Sequence, residues 1–230
     1  MGTVLIPNKK EIIRFLDLIV EPGQIVELRL LKVQRGKREF PCTLSGYFND
    51  YETLAAEAVK NSAIAQGAYI TVNPLNADLL ARSANRLQIA GKDSPLTTDA
   101  DVTSRRWLPV DLDPVRPPGI SATSEEHGLA IERAQQIRDA LHTEGWPAPI
   151  LADSGNGGHL LYKIDLPVND GGVVKRCLEG LALRFDDDRV KVDQSVFNPA
   201  RIWKLYGTIS RKGDSLPDRP HRLARILEAP

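Results

Sequence analysis

Trp107-Leu108-Pro109-Val110-Asp111-Leu112-Asp113-Pro114 is an apolar run that delivers two carboxylates and stops at a proline. Read as a strand, it sends alternate side chains to opposite faces, so Asp111 and Asp113 share one face. Two carboxylates so placed can bind one divalent cation or bridge two. A hard, oxygen-liganded Mg²⁺ or Mn²⁺ is the usual partner of triphosphate chemistry. Aspartate pairs at this spacing also arise by chance and cap strand ends in water, so the surrounding chain has to decide.

Downstream, Pro114 to Gly119 reads as a loop, and Ser124 is placed to cap a helix through Leu141. Glu125 and Glu126 lie against the N-terminal dipole of that helix, and Gly145 lies past its end. Ile150–Ala152 and Gly158–Ile164 bracket the tight turn Asp153-Ser154-Gly155-Asn156-Gly157, a hairpin pattern. Val173 to Phe185 is helical, and Arg201–Thr208 and Arg222–Leu227 are strand candidates. This order predicts an α+β fold with an antiparallel-rich, split βαβ sheet and helices on one face.

Upstream, Asn8 can cap a helix with Ile12, Ile13, Leu16, Ile19 and Val20 at helical spacing, closed by Pro22-Gly23. Gln24–Val33 reads as a strand, and Gly36 as a turn into a second strand from Glu39 to Tyr47. Asp50 caps a helix carrying Leu54, Ala55, Ala58 and Val59, and Ala68–Val72 is a strand ended by Asn73-Pro74. Residues 75–105 are polar and read as irregular. The boundary expected from this pattern separates an N-terminal α/β unit (1–100) from a catalytic unit (101–230).

The 230 residues are 42% hydrophobic, enough for one large domain or two intimately packed subdomains. Thirty basic residues balance thirty acidic ones, so a nucleic-acid surface would have to come from local clustering. One cluster exists: Arg201, Lys204, Arg211, Lys212, Arg219, Arg222 and Arg225, against Asp214 and Asp218. A solvated terminal stretch would look the same. Cys42 and Cys177 have no CxxC partner, and the four histidines form no metal-binding spacing, which excludes an ordinary structural zinc site. No stretch has transmembrane length or a signal-peptide pattern, so a reducing cytoplasm is the expected compartment.

Three further patterns carry chemistry. In Ser154-Gly155-Asn156-Gly157-Gly158-His159, glycines let backbone N–H groups approach an anion, Ser154 adds a donor, and His159 starts the next strand. A hairpin of this kind also forms with no ligand. Val190-Lys191-Val192-Asp193 brings a third carboxylate after a β-branched run. Asn198-Pro199-Ala200-Arg201-Ile202-Trp203-Lys204-Leu205-Tyr206-Gly207-Thr208, continued by Arg211-Lys212-Gly213, interleaves cations with apolar residues. Arg suits phosphate by its fork and Lys as a point charge. In this order, two carboxylates, a Ser/Gly/His hairpin, a third carboxylate and cations form an inventory for two-metal nucleotidyl transfer.

On these motifs the sequence resembles the archaeo-eukaryotic primase superfamily, the primase-polymerases, in particular the prim-pol domains of phage and plasmid replication proteins. The resemblance runs through Val110–Pro114, Ser154–His159, Val192-Asp193 and Asn198–Gly213, and more loosely through Gly46–Asp50 and Asn73-Pro74. It implies an RNA-recognition-type (RRM-like) catalytic sheet fused to an N-terminal α/β unit. It also implies metal ligation by Asp111, Asp113 and Asp193 and triphosphate binding by the Ser154-Gly155-Asn156-Gly157 hairpin with His159. Arg201, Lys204 and Lys212 match as basic residues near the phosphates.

The implied cofactors are Mg²⁺ or Mn²⁺. The implied partners are NTP or dNTP substrates, a single-stranded DNA template with its primer, and a fused or separate helicase. Unlike many members, the chain lacks the cysteines of a zinc element, which weighs against de novo initiation more than extension. It is expected to be a catalytic segment of a longer replication protein, with a stand-alone domain as the alternative. An end-joining-type repair polymerase and a non-catalytic nucleic-acid-binding module of a replication initiator stay open as alternatives. Tyr206 is a candidate neighbour of the sugar, and Arg82, Arg86 and Lys92 are candidates for template contact or for scaffold.

Overall fold

The computed structural model describes residues 4–34 and 40–230. The turn expected at Gly36 and the strand start at Glu39 lie outside the described residues. Helix α1 (Lys9–Ile19) is capped by Asn8, whose Oδ1 accepts the Glu11 N–H at 3.2 Å. Strands β1 (Val26–Val33) and β2 (Cys42–Phe48) follow. Helix α2 (Tyr51–Ser62) is capped by Asp50 through the Thr53 N–H at 3.1 Å, and β3 (Gly67–Thr71) follows it. The segment expected to be irregular contains two 3₁₀ turns, Ala77–Arg82 and Asp99–Asp101, and a two-residue strand β4 (Gln88–Ile89). Such short pairings leave no periodic signal in a sequence.

Strand β5 (Arg105–Pro114) opens the second half and leads to helix α3 (Ser124–Thr143). The cap of α3 is Thr123 rather than Ser124. Thr123 Oγ1 accepts the Glu126 N–H at 3.1 Å while Glu126 accepts the Thr123 N–H at 2.9 Å, a reciprocal box that only a residue three before a glutamate can close. Then come β6 (Ile150–Asp153), β7 (Gly158–Leu166), α4 (Val173–Phe185) and β8 (Val190–Val192). The two remaining strand candidates each break. Of the first only β9 (Ile202–Lys204) forms, with β10 (Ile209–Ser210) just beyond its end, and the second becomes β11 (Arg222–Leu223) and β12 (Arg225–Glu228).

The protein is α+β; its described residues form two five-stranded antiparallel sheets and a small β10–β11 ribbon. The first sheet has the order β4-β2-β1-β3-β9 and the second β12-β6-β7-β5-β8. Within the second, β5-α3-β6 and β7-α4-β8 are two interleaved βαβ units. Strand β9 leaves this half of the chain and pairs with β3, Tyr69 opposite Lys204.

Alternation along β5 explains where the site lies. Leu108, Val110 and Leu112 face α3 and α4 in one core with Ala134, Ile137 and Leu178. Trp107, on the opposite face, joins Ile150, Ala152 and Leu161 in a second core with α1, α2 and the first sheet. The Trp107 indole N–H donates to the Ile19 carbonyl at 3.2 Å, pinning α1 to this face. Asp111 and Asp113 continue the Trp107 face beyond that core. Asn73, in the more loosely matched part of the resemblance, is a buried staple: it donates to the Pro199 carbonyl at 2.9 Å and accepts the Arg106 N–H at 2.8 Å.

Candidate active site

A cavity of about 240 Å³ is lined from the second sheet by Asp111, Asp113 and His159, and from the first by Leu31, Tyr69 and Lys204. Ser154, Asn156, Asp193, Arg201 and Lys212 complete the match to the expected residues. Gly155 and Gly157 are the two expected residues absent from its wall.

Asp111 sits opposite His159 in the β5–β7 register, and His159 Nε2 lies 3.2 Å from Asp111 Oδ1. The other ring nitrogen lies 3.0 Å from the Tyr206 hydroxyl, which accepts the Trp203 indole N–H at 2.8 Å. His159 thus spans the Tyr206 hydroxyl and Asp111 with its two ring nitrogens. Burial holds the Tyr206 hydroxyl well above 10, so it stays a donor. Tyr206 is fully buried, so it forms the support of His159 rather than a wall against a sugar. His159 in turn directs its Nε2 at a carboxylate.

The two aspartates differ. Burial alone would raise the Asp111 carboxyl, but His159, Lys212 and Arg116 outweigh it and hold the group below the usual carboxylate range. Burial and then the charge on Asp111 push Asp113 above that range, against the pull of Lys212 and Arg116. Arg116, not singled out in the sequence, places both terminal nitrogens 3.2 Å from Asp113 Oδ1. Asp193 follows β8, and its backbone N–H donates to the Asp111 carbonyl at 2.8 Å while Oδ1 accepts the Ser195 N–H. Among the described residues, no group of three or more His, Cys, Asp or Glu side chains stands close enough to hold a metal ion as placed. The oxygen-only pair of Asp111 and Asp113, crowded enough that one is pushed toward protonation, suits a hard divalent cation.

The glycine hairpin has a different role from the one its composition suggests. Gly155 N–H donates to Asp153 Oδ1 at 2.6 Å, and the Gly157 and Asn156 N–H groups donate to Ser154 Oγ at 2.9 and 3.3 Å. These N–H groups are spent inside the turn rather than offered to an anion. What approaches closely is the protein itself: a Cβ on Gly157 would stand 2.2 Å from the Leu112 carbonyl oxygen, and one on Gly155 (φ +88°) 2.7 Å from Ser210 Cβ. Asn156 accepts the Ala122 N–H at 2.9 Å and so ties the turn to the start of α3.

Opposite the carboxylates stand the cations. Lys204 is 3% exposed, donates to the Ile209 carbonyl at 2.9 Å and lies 5.4 Å from the centre of the Tyr69 ring. Burial, with a further push from Lys212, brings its ammonium down to about 7. Burial, Asp111 and Asp113 push the Tyr69 phenol up to about 12. Tyr69 is a wall residue that the strand pattern alone did not mark. Arg201 donates to the Ser195 carbonyl, and its buried Nε has no hydrogen-bond partner among the described residues. Among the described residues, Arg201, Lys204 and Lys212 form no ion pair.

Three further members of the basic cluster are structural. Arg219 grips Glu126 at 2.8 and 3.0 Å, Arg222 donates to the Ala122 carbonyl at 2.8 Å, and Arg225 lies 3.7 Å from Asp153. Arg82 pairs with Asp101 and lies over Tyr47, a scaffold role. A larger, shallower hollow of about 560 Å³ lines α1, but there Lys9 is already paired with Glu52 at 2.8 Å. Among the described residues, no helix is long and apolar enough to cross a membrane. Comparison of the chain with protein-family models, curated proteins and solved structures finds no match.

Proposed function

We propose that this cavity is a nucleotidyl-transfer site and that the chain is a template-directed primase-polymerase that makes or extends primers. The observation that carries the reading is charge arrangement. One cavity sets Asp111, Asp113 and Asp193 against Arg201, Lys204 and Lys212, three cations without a carboxylate partner among the described residues. The interleaved βαβ units and the order β6-β7-β5-β8 agree with the RNA-recognition-type sheet that the motifs imply.

In this reading a divalent cation held by Asp111 and Asp113, with Asp193 beside them, would supply charge neutralisation and activation of the attacking hydroxyl. Arg201, Lys204 and Lys212 hold the β- and γ-phosphates in line and offset the charge that develops on the leaving pyrophosphate. A polyanion beside Lys204 returns that ammonium to its charged form. His159 is a positioning residue: held by Tyr206, it fixes the direction of Asp111. The metal, the nucleotides and the single-stranded template with its primer belong to the proposal together.

The experiment is incubation with a labelled single-stranded template, with and without primer, comparing NTPs with dNTPs under Mg²⁺ and Mn²⁺. Synthesis by the wild type, and its fall by on the order of 10²-fold or more in folded Asp111→Asn and Asp193→Asn, is expected. Wild-type rates in either variant would remove the metal-carboxylate assignment.

A further inference from the structure

Strand β1 carries an irregularity next to the cavity. Its register with β2 shifts between Leu30 and Val33, and Lys32 adopts φ +48°, a left-handed conformation uncommon outside glycine. In a regular strand Lys32 would follow Leu28 and Leu30 into the core under α1 and α2. The bulge instead gives that place to Val33, which is fully buried, and turns Lys32 outward beside Leu31. Leu31 lines the cavity with the carboxylates. Lys32 lines the concavity that continues from it.

That continuation can be followed residue by residue. A hollow of about 480 Å³ shares Asp113 and Lys212 with the cavity and adds Lys32, Gln66, Arg116 and Lys191. A second hollow of about 790 Å³ shares Lys32 and Gln66 with the first and adds Arg211 and His221. Backbone bonds set the floor: the Gln66 N–H donates to the Leu31 carbonyl at 2.9 Å, and the Arg211 N–H to the Gln66 carbonyl at 2.9 Å. Among the described residues, five cations, Lys32, Arg116, Lys191, Arg211 and Lys212, line this path against Asp113 and Asp214. Arg116 and Lys191 are paired with Asp113 and Asp186, whereas Lys32, Arg211 and Lys212 have no carboxylate partner among the described residues.

We infer that this groove is the track of a single-stranded nucleic acid running into the catalytic cavity past Asp113, with Lys32 and Arg211 holding its phosphates. Cations spaced along a continuous groove suit a polyanionic strand better than one isolated anion. Among the described residues no Phe, Tyr or Trp lines the two hollows, so recognition is of backbone phosphate rather than of bases. The bulge at Lys32 is strain placed where it re-aims a charge.

The inference rests on the nucleotidyl-transfer reading for its occupant, and its test separates the two. Binding of fluorescent single strands, one oligo-dT and one of mixed sequence, is measured against salt for the wild type, Lys32→Asn and Arg211→Gln. Asn tolerates the left-handed conformation, so Lys32→Asn removes charge without new strain. Each variant should weaken both oligonucleotides about three- to tenfold and flatten the slope of log K against log salt by about 0.7. Nucleoside triphosphate affinity, measured without oligonucleotide, should stay within about twofold, and Lys175→Ala on α4 should bind as the wild type does.

Unchanged slopes in both variants would overturn the track, and so would an equal loss of triphosphate affinity, which would mark a site for free phosphates. Primer extension by the wild type, run in parallel, keeps the outcomes apart. Synthesis with unchanged slopes removes the track alone, and flattened slopes without synthesis remove the polymerase reading alone.

Discussion

Lys204→Met should make this protein more stable while it cripples the site. Lys204 is buried, and its ammonium falls from an ordinary 10.5 to about 7. At about 1.36 kcal/mol for each tenfold, that is on the order of 5 kcal/mol against the charged form, and about 4 kcal/mol at pH 7, where part of the population is neutral. Methionine keeps the unbranched stem and removes the charge. It also strands the Ile209 carbonyl, a loss of about 1–3 kcal/mol, and gives up the contact with the Tyr69 ring, worth about 1 kcal/mol. The net gain expected at pH 6 is therefore about 1–3 kcal/mol.

The sign must change with pH. Because the folded value lies below the unfolded one, the penalty is complete below pH 7 and fades as pH rises from 7 toward 10.5. Near pH 10 the wild type has lost most of its penalty, and the variant keeps only its lost hydrogen bond and ring contact. Urea unfolding at pH 6 and pH 10 reads this directly, as a midpoint above the wild type at pH 6 and at or below it at pH 10, with unchanged m. A variant less stable than the wild type at pH 6, or a difference independent of pH, would refute the reasoning. Primer extension by the same variant should fall through weaker triphosphate binding, the trade expected where a site holds an unfavourable charge for use.

Asp113→Asn should also stabilise at pH 7. The folded carboxyl titrates above its unfolded value, so ionisation opposes folding above that range, and the gain disappears as pH falls below about 4; thermal melts at pH 4 and 7 test this, with synthesis lost in the same variant. Tyr206→Phe orphans both the Trp203 N–H and His159 Nδ1. It should destabilise by about 1–3 kcal/mol and lower kcat more than the nucleotide KM, whereas an unchanged kcat would sink the positioning role of His159. Gly157→Ala drives a Cβ to 2.2 Å from the Leu112 carbonyl oxygen. It should destabilise by about 2–4 kcal/mol, read as a lowered urea midpoint, and a stable variant would show that the turn can move.

Much of the local structure was legible because it depends on nearest neighbours. Asn8 and Asp50 cap their helices as read, since a short polar side chain satisfies an N–H two or three residues on whatever the rest of the chain does. The Thr123 cap was equally local and was misread by one position, because the glutamate three residues on selects the box. The glycine hairpin shows the opposite limit. Its composition fits both an anion cradle and a tight packing corner, and only the partners of its N–H groups distinguish the two. The basic cluster divides in the same way, Arg219, Arg222 and Arg225 into structural bonds and Arg201, Lys204 and Lys212 into the cavity.

What the sequence by itself determined is the α+β class and the shared face of Asp111 and Asp113, because alternation along an extended chain is a local geometric rule. Tertiary structure alone decided what stands across from them. Ile202-Trp203-Lys204 reads as a strand, but nothing within it names β3 as its partner. Pairing with β3 depends on side-chain fit between residues distant in sequence, and it is this pairing that carries Lys204 next to Tyr69 and into the cavity. The turn of Lys32 out of the core is of the same kind, a bulge defined only once β2 and β3 lie on either side of β1.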